Sequence, residues 1–290
     1  MTADRPALAQ ANAAAGGAPD WRNACDKRHA DQTPGADRPW AVSPDAAHFS
    51  SLIDCTRDGA VATLWIARGS ARNALPVAGW QALAAAMQEL ATSDARVVLL
   101  ASREPGIFSA GADIAEFTEL QRDPARCALF RESLSDAIEG LARLPMPVIA
   151  VVDGGCFGAA VALVLACDLI VAGDGARFAI PPARLGILYP PADVARLVAA
   201  VGRGQAARLL YTGDTIDVDE ALAIGLVHRR GEDARDLAAR IAATAPGADR
   251  GLKLALEGVA GGEARFDAAF GGTELDEGLA AFRNRRPPEF

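Results

Sequence analysis

The stretch from Pro147 to Asp168 holds the residues best suited to chemistry, and it offers main chain rather than side chains. Val148 to Val152 is a run rich in β-branched residues and reads as a buried strand. Asp153-Gly-Gly155 breaks it, because glycine takes turn dihedrals that other residues avoid. Gly158 to Cys167 is then small and apolar on every face, which predicts a fully buried helix. Small residues at its start leave the first amide N–H groups open. Those groups have no partner inside the helix and lie at the positive end of its dipole. Strand, glycine turn and buried helix together predict a place for negative charge, and the chemistry is stabilisation of an oxyanion.

Other chemistries are poorly supplied. Of the three histidines, His29 and His48 lie near the N-terminus and His228 lies far along, so a Ser-His or Cys-His nucleophile has little to work with. Cysteines at 25, 55, 127, 156 and 167 are odd in number and match no zinc or redox spacing. They read as free thiols in a reducing compartment. A net charge of −8 argues against a nucleic-acid partner. The longest apolar run, Phe157 to Cys167, falls short of the roughly 20 residues a bilayer span needs. No apolar signal segment opens the chain, which predicts a cytoplasmic protein. No metal or redox cofactor is indicated.

Elements must position that central stretch. Residues 1–48, rich in Ala, Pro, Gly, Asp and Arg, read as a disordered extension. Leu52 to Ile66 predicts a hairpin around Arg57-Asp-Gly59. Val77, Trp80, Leu83, Met87 and Leu90 follow helical spacing after Pro76. Arg96 to Ala101 reads as a strand, Phe108-Ser-Ala-Gly-Ala-Asp-Ile114 as a second glycine turn, and 124–143 as a long helix. Strands follow at 168–172 and 177–180. Helices follow from Pro190 to Val201 and from Arg203 to Tyr211, with a short one at 217–224. Leu226-Val-His228 reads as a strand, and the helical tail from about 232 as a separate layer. Strands alternating with helices predict an α/β protein of βαβ type.

Several motifs, in order, resemble the crotonase (enoyl-CoA hydratase/isomerase) superfamily. These are Arg72-Asn-Ala-Leu75, Phe108 to Ile114, Val152 to Gly158 running on to Ala166-Cys-Asp168, Ala176-Arg-Phe178, Arg184-Leu-Gly186, Thr212-Gly-Asp214, Glu220 to Val227, and Glu277 to Phe282 with Arg285 and Pro287. The resemblance covers about 50–290. It implies a crotonase-like spiral of ββα-type turns over 49–230, with a C-terminal helical trimerisation region over 231–290. It also implies a homotrimer or a dimer of trimers, and an acyl-CoA substrate with coenzyme A as part of it. By motif position the Ala112 and Ala159 amides would form the oxyanion hole, though the family usually has Gly where Ala159 stands. Arg72, Ala74, Ala110, Asp113, Ile114, Pro182 and Leu185 would line the substrate path.

The resemblance fails where a hydratase keeps its two glutamates: Ala162 and Pro182 stand there, and neither moves a proton. General acid–base help is typically worth about 10²–10⁴-fold, so ordinary hydration is doubtful. The replacements offered by nearby segments are Asp193 and, as a proton donor, Tyr189. Glu116, Glu132 and Asp136 read as solvated, and Arg184 as either a salt-bridge or a substrate residue. Ile180, Leu185, Leu188, Tyr189 and Val161 would line a buried acyl pocket. Three functions compete: a lyase- or isomerase-type acyl-CoA enzyme with relocated acid or base, a catalytically degenerate acyl-CoA-binding homologue, and a structural subunit.

Overall fold

Val97–Ser102 and Val148–Val152 are apolar on both faces, and both faces are buried. Val98, Leu100, Val148 and Ala150 join the main core; Val97, Leu99 and Ile149 join a second cluster with Val171, Ala234 and Ala238. Uninterrupted apolar runs belong to parallel strands covered on both sides, and these two are parallel neighbours.

The computed structural model describes residues 46–290. In chain order the elements are β1 (Ala46–Ser50), β2 (Ile53–Asp58), β3 (Val61–Ile66), α1 (Val77–Ala91), β4 (Val97–Ser102), β5 (Ile107–Ser109), α2 (Phe117–Arg122), α3 (Pro124–Ala142), β6 (Val148–Val152), β7 (Gly155–Phe157), α4 (Ala159–Leu165), β8 (Leu169–Ala172), β9 (Arg177–Ala179), α5 (Pro191–Thr212), β10 (Ile216–Asp217), α6 (Val218–Ala223), β11 (Arg229–Arg230), α7 (Ala234–Ala242), α8 (Pro246–Leu256), α9 (Gly262–Ala269) and α10 (Thr273–Asn284). One sheet runs β1-β2-β3-β4-β6-β8-β11 and a smaller one runs β10-β9-β7-β5. Successive ββα turns add one strand to each: β4, β6 and β8 are parallel neighbours in the first, and β5, β7 and β9 in the second. This is the expected mixed α/β spiral, with helices at its C-terminal end. Among the described residues no helix is long and apolar enough to cross a membrane.

Four differences from the sequence reading have physical causes. The expected disordered segment 1–48 lies outside the described residues except at its end, where Ala46 to His48 belong to β1, paired with β2. Leu226 and Val227 do not join a strand. Both amides turn back to the Ala221 carbonyl and both side chains enter the core, so the ladder starts only at Arg229. Gly202, at φ +75°, interrupts α5 between the two helices expected there. The helical tail is not wholly a separate layer, because α7 covers the second face of the large sheet through Ala234 and Ala238.

His228 closes the β8 edge. Its N–H donates to the Ile170 carbonyl at 3.0 Å, and its Nδ1 accepts the Ile170 N–H at 2.9 Å, which requires the neutral ring. Burial, then the Arg229 charge, hold its pKa below the ordinary 6.5. A histidine whose pKa falls on folding takes up protons more readily when unfolded. Its contribution is therefore complete above pH 6.5 and is lost as pH drops through the lowered folded value. Urea midpoints are expected to decline below pH 6.5. In His228→Asn, whose amide oxygen still accepts from Ile170, the decline should flatten; equal slopes in both proteins would exclude His228 as its source.

Candidate functional site

The first glycine turn is held by a buried asparagine. Arg72 and Asn73 both take left-handed backbone, at φ 52° and 55°. Asn73 tolerates this because a short amide side chain can bond locally. Its Oδ1 accepts the Arg68 N–H at 2.6 Å, and its Nδ2 donates to Ser102 Oγ at 2.7 Å and to the Phe108 carbonyl at 3.0 Å. Ser109 Oγ donates to the Asn73 carbonyl and accepts the Gly111 N–H. Ala110 N–H donates to the Arg72 carbonyl, Leu75 N–H to Gly111, and Asp113 N–H to Leu75. Residues 72–75 thus zip along 108–113, joining Arg72, Ala74, Ala110, Asp113 and Ile114 in one neighbourhood.

This zipper orients one amide. The Gly111 carbonyl points at Leu75, and across a trans peptide the Ala112 N–H points the opposite way. That is the edge on which β5 pairs with β7. On the second turn, Gly158 caps α4 at φ 56°, its own N–H tied to the Ala179 carbonyl at 2.9 Å. Ala159 is the first helical residue, so its N–H has no partner in the helix.

The two turns touch main chain to main chain. A Cβ built on Gly111 would lie 2.5 Å from the Phe157 carbonyl oxygen and 2.9 Å from the Ala159 nitrogen, both too close for an unshifted backbone. Gly111 also sits at φ +85°, where any other residue is strained. Glycine is required there twice over.

The side chains around this meeting point are mostly engaged. Asp113 pairs with Arg68 at 2.6 Å and caps Ala115. Glu116 is not merely solvated as expected: it accepts the Val77 N–H at 2.8 Å, capping α1 where Pro76 has no side-chain acceptor. Asp193 is buried and meets Arg196 at 3.3 Å, and Arg196 also holds Glu139 at 2.6 Å. Burial, with Glu139 acting the same way against Arg196, raises the Asp193 pKa. Tyr189 packs against the core and its hydroxyl donates to the Gly158 carbonyl at 3.1 Å. Burial, then Asp193 and Cys156, push its pKa well above the usual phenol value. Arg184 pairs with Asp214 and donates to the Thr212 carbonyl, and Glu132 is exposed beside Arg131.

The pocket-lining expectation needs correction. Ile180 and Val161 are buried, but Leu188 is 93% exposed and Leu185 38%, so neither encloses an acyl chain within a single chain. Pro182 is buried at the start of the turn that carries Leu185. Arg72 and Ile114 are exposed. A cavity of about 350 Å³ opens at the other end of α4, among Leu165, Cys167, Arg196 and His228, away from the two turns.

Sequence reasoning missed two supports. Asn73 was legible only as part of a motif. Lys253, on α8, is buried and donates to Asp168 Oδ2 at 2.8 Å and to the Met146 carbonyl at 3.1 Å. Asp168 also accepts the Val148 N–H at 2.7 Å, so one carboxylate ties both ends of the central strand–helix unit to the C-terminal region.

Comparison with known proteins agrees with this geometry. Residues 56–290 match the family model for enoyl-CoA hydratase/isomerase. The chain is 31% identical to 2,3-dehydroadipyl-CoA hydratase of Escherichia coli over 257 residues, covering 83% of this chain and 99% of that one. It is 30% identical to mitochondrial methylglutaconyl-CoA hydratase of Mus musculus over 250 residues, covering 79% of each. Among solved structures, an enoyl-CoA hydratase/carnithine racemase from Magnetospirillum magneticum superposes with a TM-score of 0.79 at 30% identity, covering 84% of this chain and 96% of that one. An enoyl-CoA hydratase from Bacillus anthracis gives 0.78 at 26%, covering 82% and 98%. The motifs, the two-sheet spiral and these matches lead to one conclusion: the chain belongs to the enoyl-CoA hydratase/isomerase family.

Proposed function

We propose that this protein binds an acyl-CoA thioester and stabilises its enolate, with the amides of Ala112 and Ala159 receiving the thioester oxygen. The observation that carries the reading is the contact of Gly111 with Ala159, combined with the turn of the Ala112 N–H away from Leu75. Chemistry next to a thioester carbonyl piles negative charge on that oxygen, and a placed donor in a dry site is worth about 2.7–4 kcal/mol. Arg72, Ala74, Ala110, Asp113 and Ile114 take the coenzyme A side, and Pro182 and Leu185 the acyl side. Exposed Leu252, Leu256, Phe266, Phe270 and Phe282 on the C-terminal helices favour a homotrimer or a dimer of trimers.

The test compares butyryl-CoA with S-butyl-CoA, a thioether lacking the carbonyl, by calorimetry. Two hydrogen bonds to the carbonyl predict about tenfold or more tighter binding of the thioester. Equal affinities would defeat the oxyanion reading, and absence of binding would defeat the coenzyme A reading too. The engaged carboxylates around the site favour a second reading, a homologue that binds acyl-CoA without turning it over. Tight binding with no turnover of any thioester would select it.

A further inference from the structure

Assigning a proton donor rests on the acyl-CoA reading, which by itself leaves the source of protons open. The carboxylates of the surrounding segments are each committed: Asp113 to Arg68, Glu116 to the Val77 amide, Asp193 to Arg196. Cys156 and Cys167 are buried thiols whose pKa values burial raises, which keeps them protonated. His228 is bound to the Ile170 amide beyond the far end of α4. Ala162, one turn into α4, and Pro182 are buried and apolar. One exchangeable proton stands apart from these. The Tyr189 hydroxyl rests on the Gly158 carbonyl at 3.1 Å, one residue before Ala159, with the Ala162 amide beside it.

A site with a proton donor and no free base restricts the reaction. Hydration needs a base to activate water, and double-bond isomerisation needs one to remove a C–H proton. An enolate made by breaking a carbon–carbon bond needs neither. We propose that Tyr189, set beside the Ala159 amide by its bond to Gly158, is the proton donor to an enolate formed by decarboxylation, and that the substrate is a 2-carboxyacyl (malonyl-type) CoA thioester. The C2–carboxylate bond breaks and its electron pair flows to the thioester oxygen. Carbon dioxide leaves, C2 takes the phenolic proton, and the tyrosinate recovers a proton from water. The net change is loss of carbon dioxide and uptake of one proton, with no oxidant or co-reactant. Ala162 and Pro182 suit such a substrate, since carboxylates there would repel its own.

The experiment incubates the full chain with methylmalonyl-CoA in D₂O, with crotonyl-CoA as the hydration control, and follows products by mass spectrometry and NMR. Expected are loss of carbon dioxide, one deuterium at C2 and no hydration. Tyr189→Phe should lower kcat by about 10²-fold or more, leave KM and the urea midpoint near their original values, and deuterate the two faces of C2 without preference. Methylmalonyl-CoA that binds but stays intact, or crotonyl-CoA that is hydrated, overturns the substrate assignment while the acyl-CoA reading stands. Decarboxylation with an unchanged kcat in Tyr189→Phe overturns the donor assignment. Failure to bind any thioester removes both this proposal and the reading beneath it.

Discussion

Gly111→Ala is expected to erase the preference for thioester over thioether and to lower thioester turnover by at least about 10²-fold, the scale of losing an oxyanion donor. The added methyl would stand 2.9 Å from the Ala159 nitrogen and 2.5 Å from the Phe157 carbonyl oxygen. Neither atom is the end of a flexible side chain, so the two turns must separate. The backbone at φ +85° adds a strain of about 1–2 kcal/mol, and the urea midpoint should fall by a corresponding amount without loss of the folded state. Calorimetry with the butyryl and butyl ligands, run on a variant verified as folded by circular dichroism, reads the effect. A folded variant with undiminished preference would mean that the Ala159 amide does not receive the carbonyl.

Lys253→Ala should cost about 3 kcal/mol of unfolding free energy, the lower end of what breaking a buried ion pair costs. The substitution leaves Asp168 with the Val148 N–H as its remaining donor, and leaves the Met146 carbonyl without its ammonium. Lys253→Arg is not expected to rescue it, because a planar fork does not fit the space of a slender ammonium. Equilibrium urea unfolding provides the measurement. A loss below about 1 kcal/mol would mean that water replaces the ammonium at little cost.

Much of this architecture was legible because its signals are local. Val148 to Val152 announces a strand buried on both faces, Gly158 marks the cap of α4, and the face from Trp80 to Leu90 sets α1 against the core. The two glycine turns could be named from their motifs, and the structure brings them into contact. What the sequence hid was long-range pairing. Nothing near Asp113 foretells Arg68, and nothing near Asp193 foretells that Arg196 bridges it to Glu139, 57 residues from Arg196 in sequence. Lys253 did leave a trace: it is one of only two lysines in a chain whose cations are otherwise arginine. A lysine between Leu252 and Leu254 on an arginine-rich background marks a place where a compact charge is needed. Leu188 misled because an apolar residue beside a proline pair reads as pocket lining, whereas its side chain faces outward.

The meeting of the two turns has an evolutionary corollary. It is built from the carbonyl of Phe157, the nitrogen of Ala159 and the bare α-carbon of Gly111, none of which is encoded by a side chain. Most point mutations in the surrounding loops therefore leave it untouched; only a bulkier residue at Gly111 or an imino acid at Ala159 reaches it directly. The groups able to handle protons, at 162, 182 and 189, are each a codon or two from something else. A duplicated gene of this lineage can thus exchange one reaction for another by drift at a few positions while inheriting the same cradle intact.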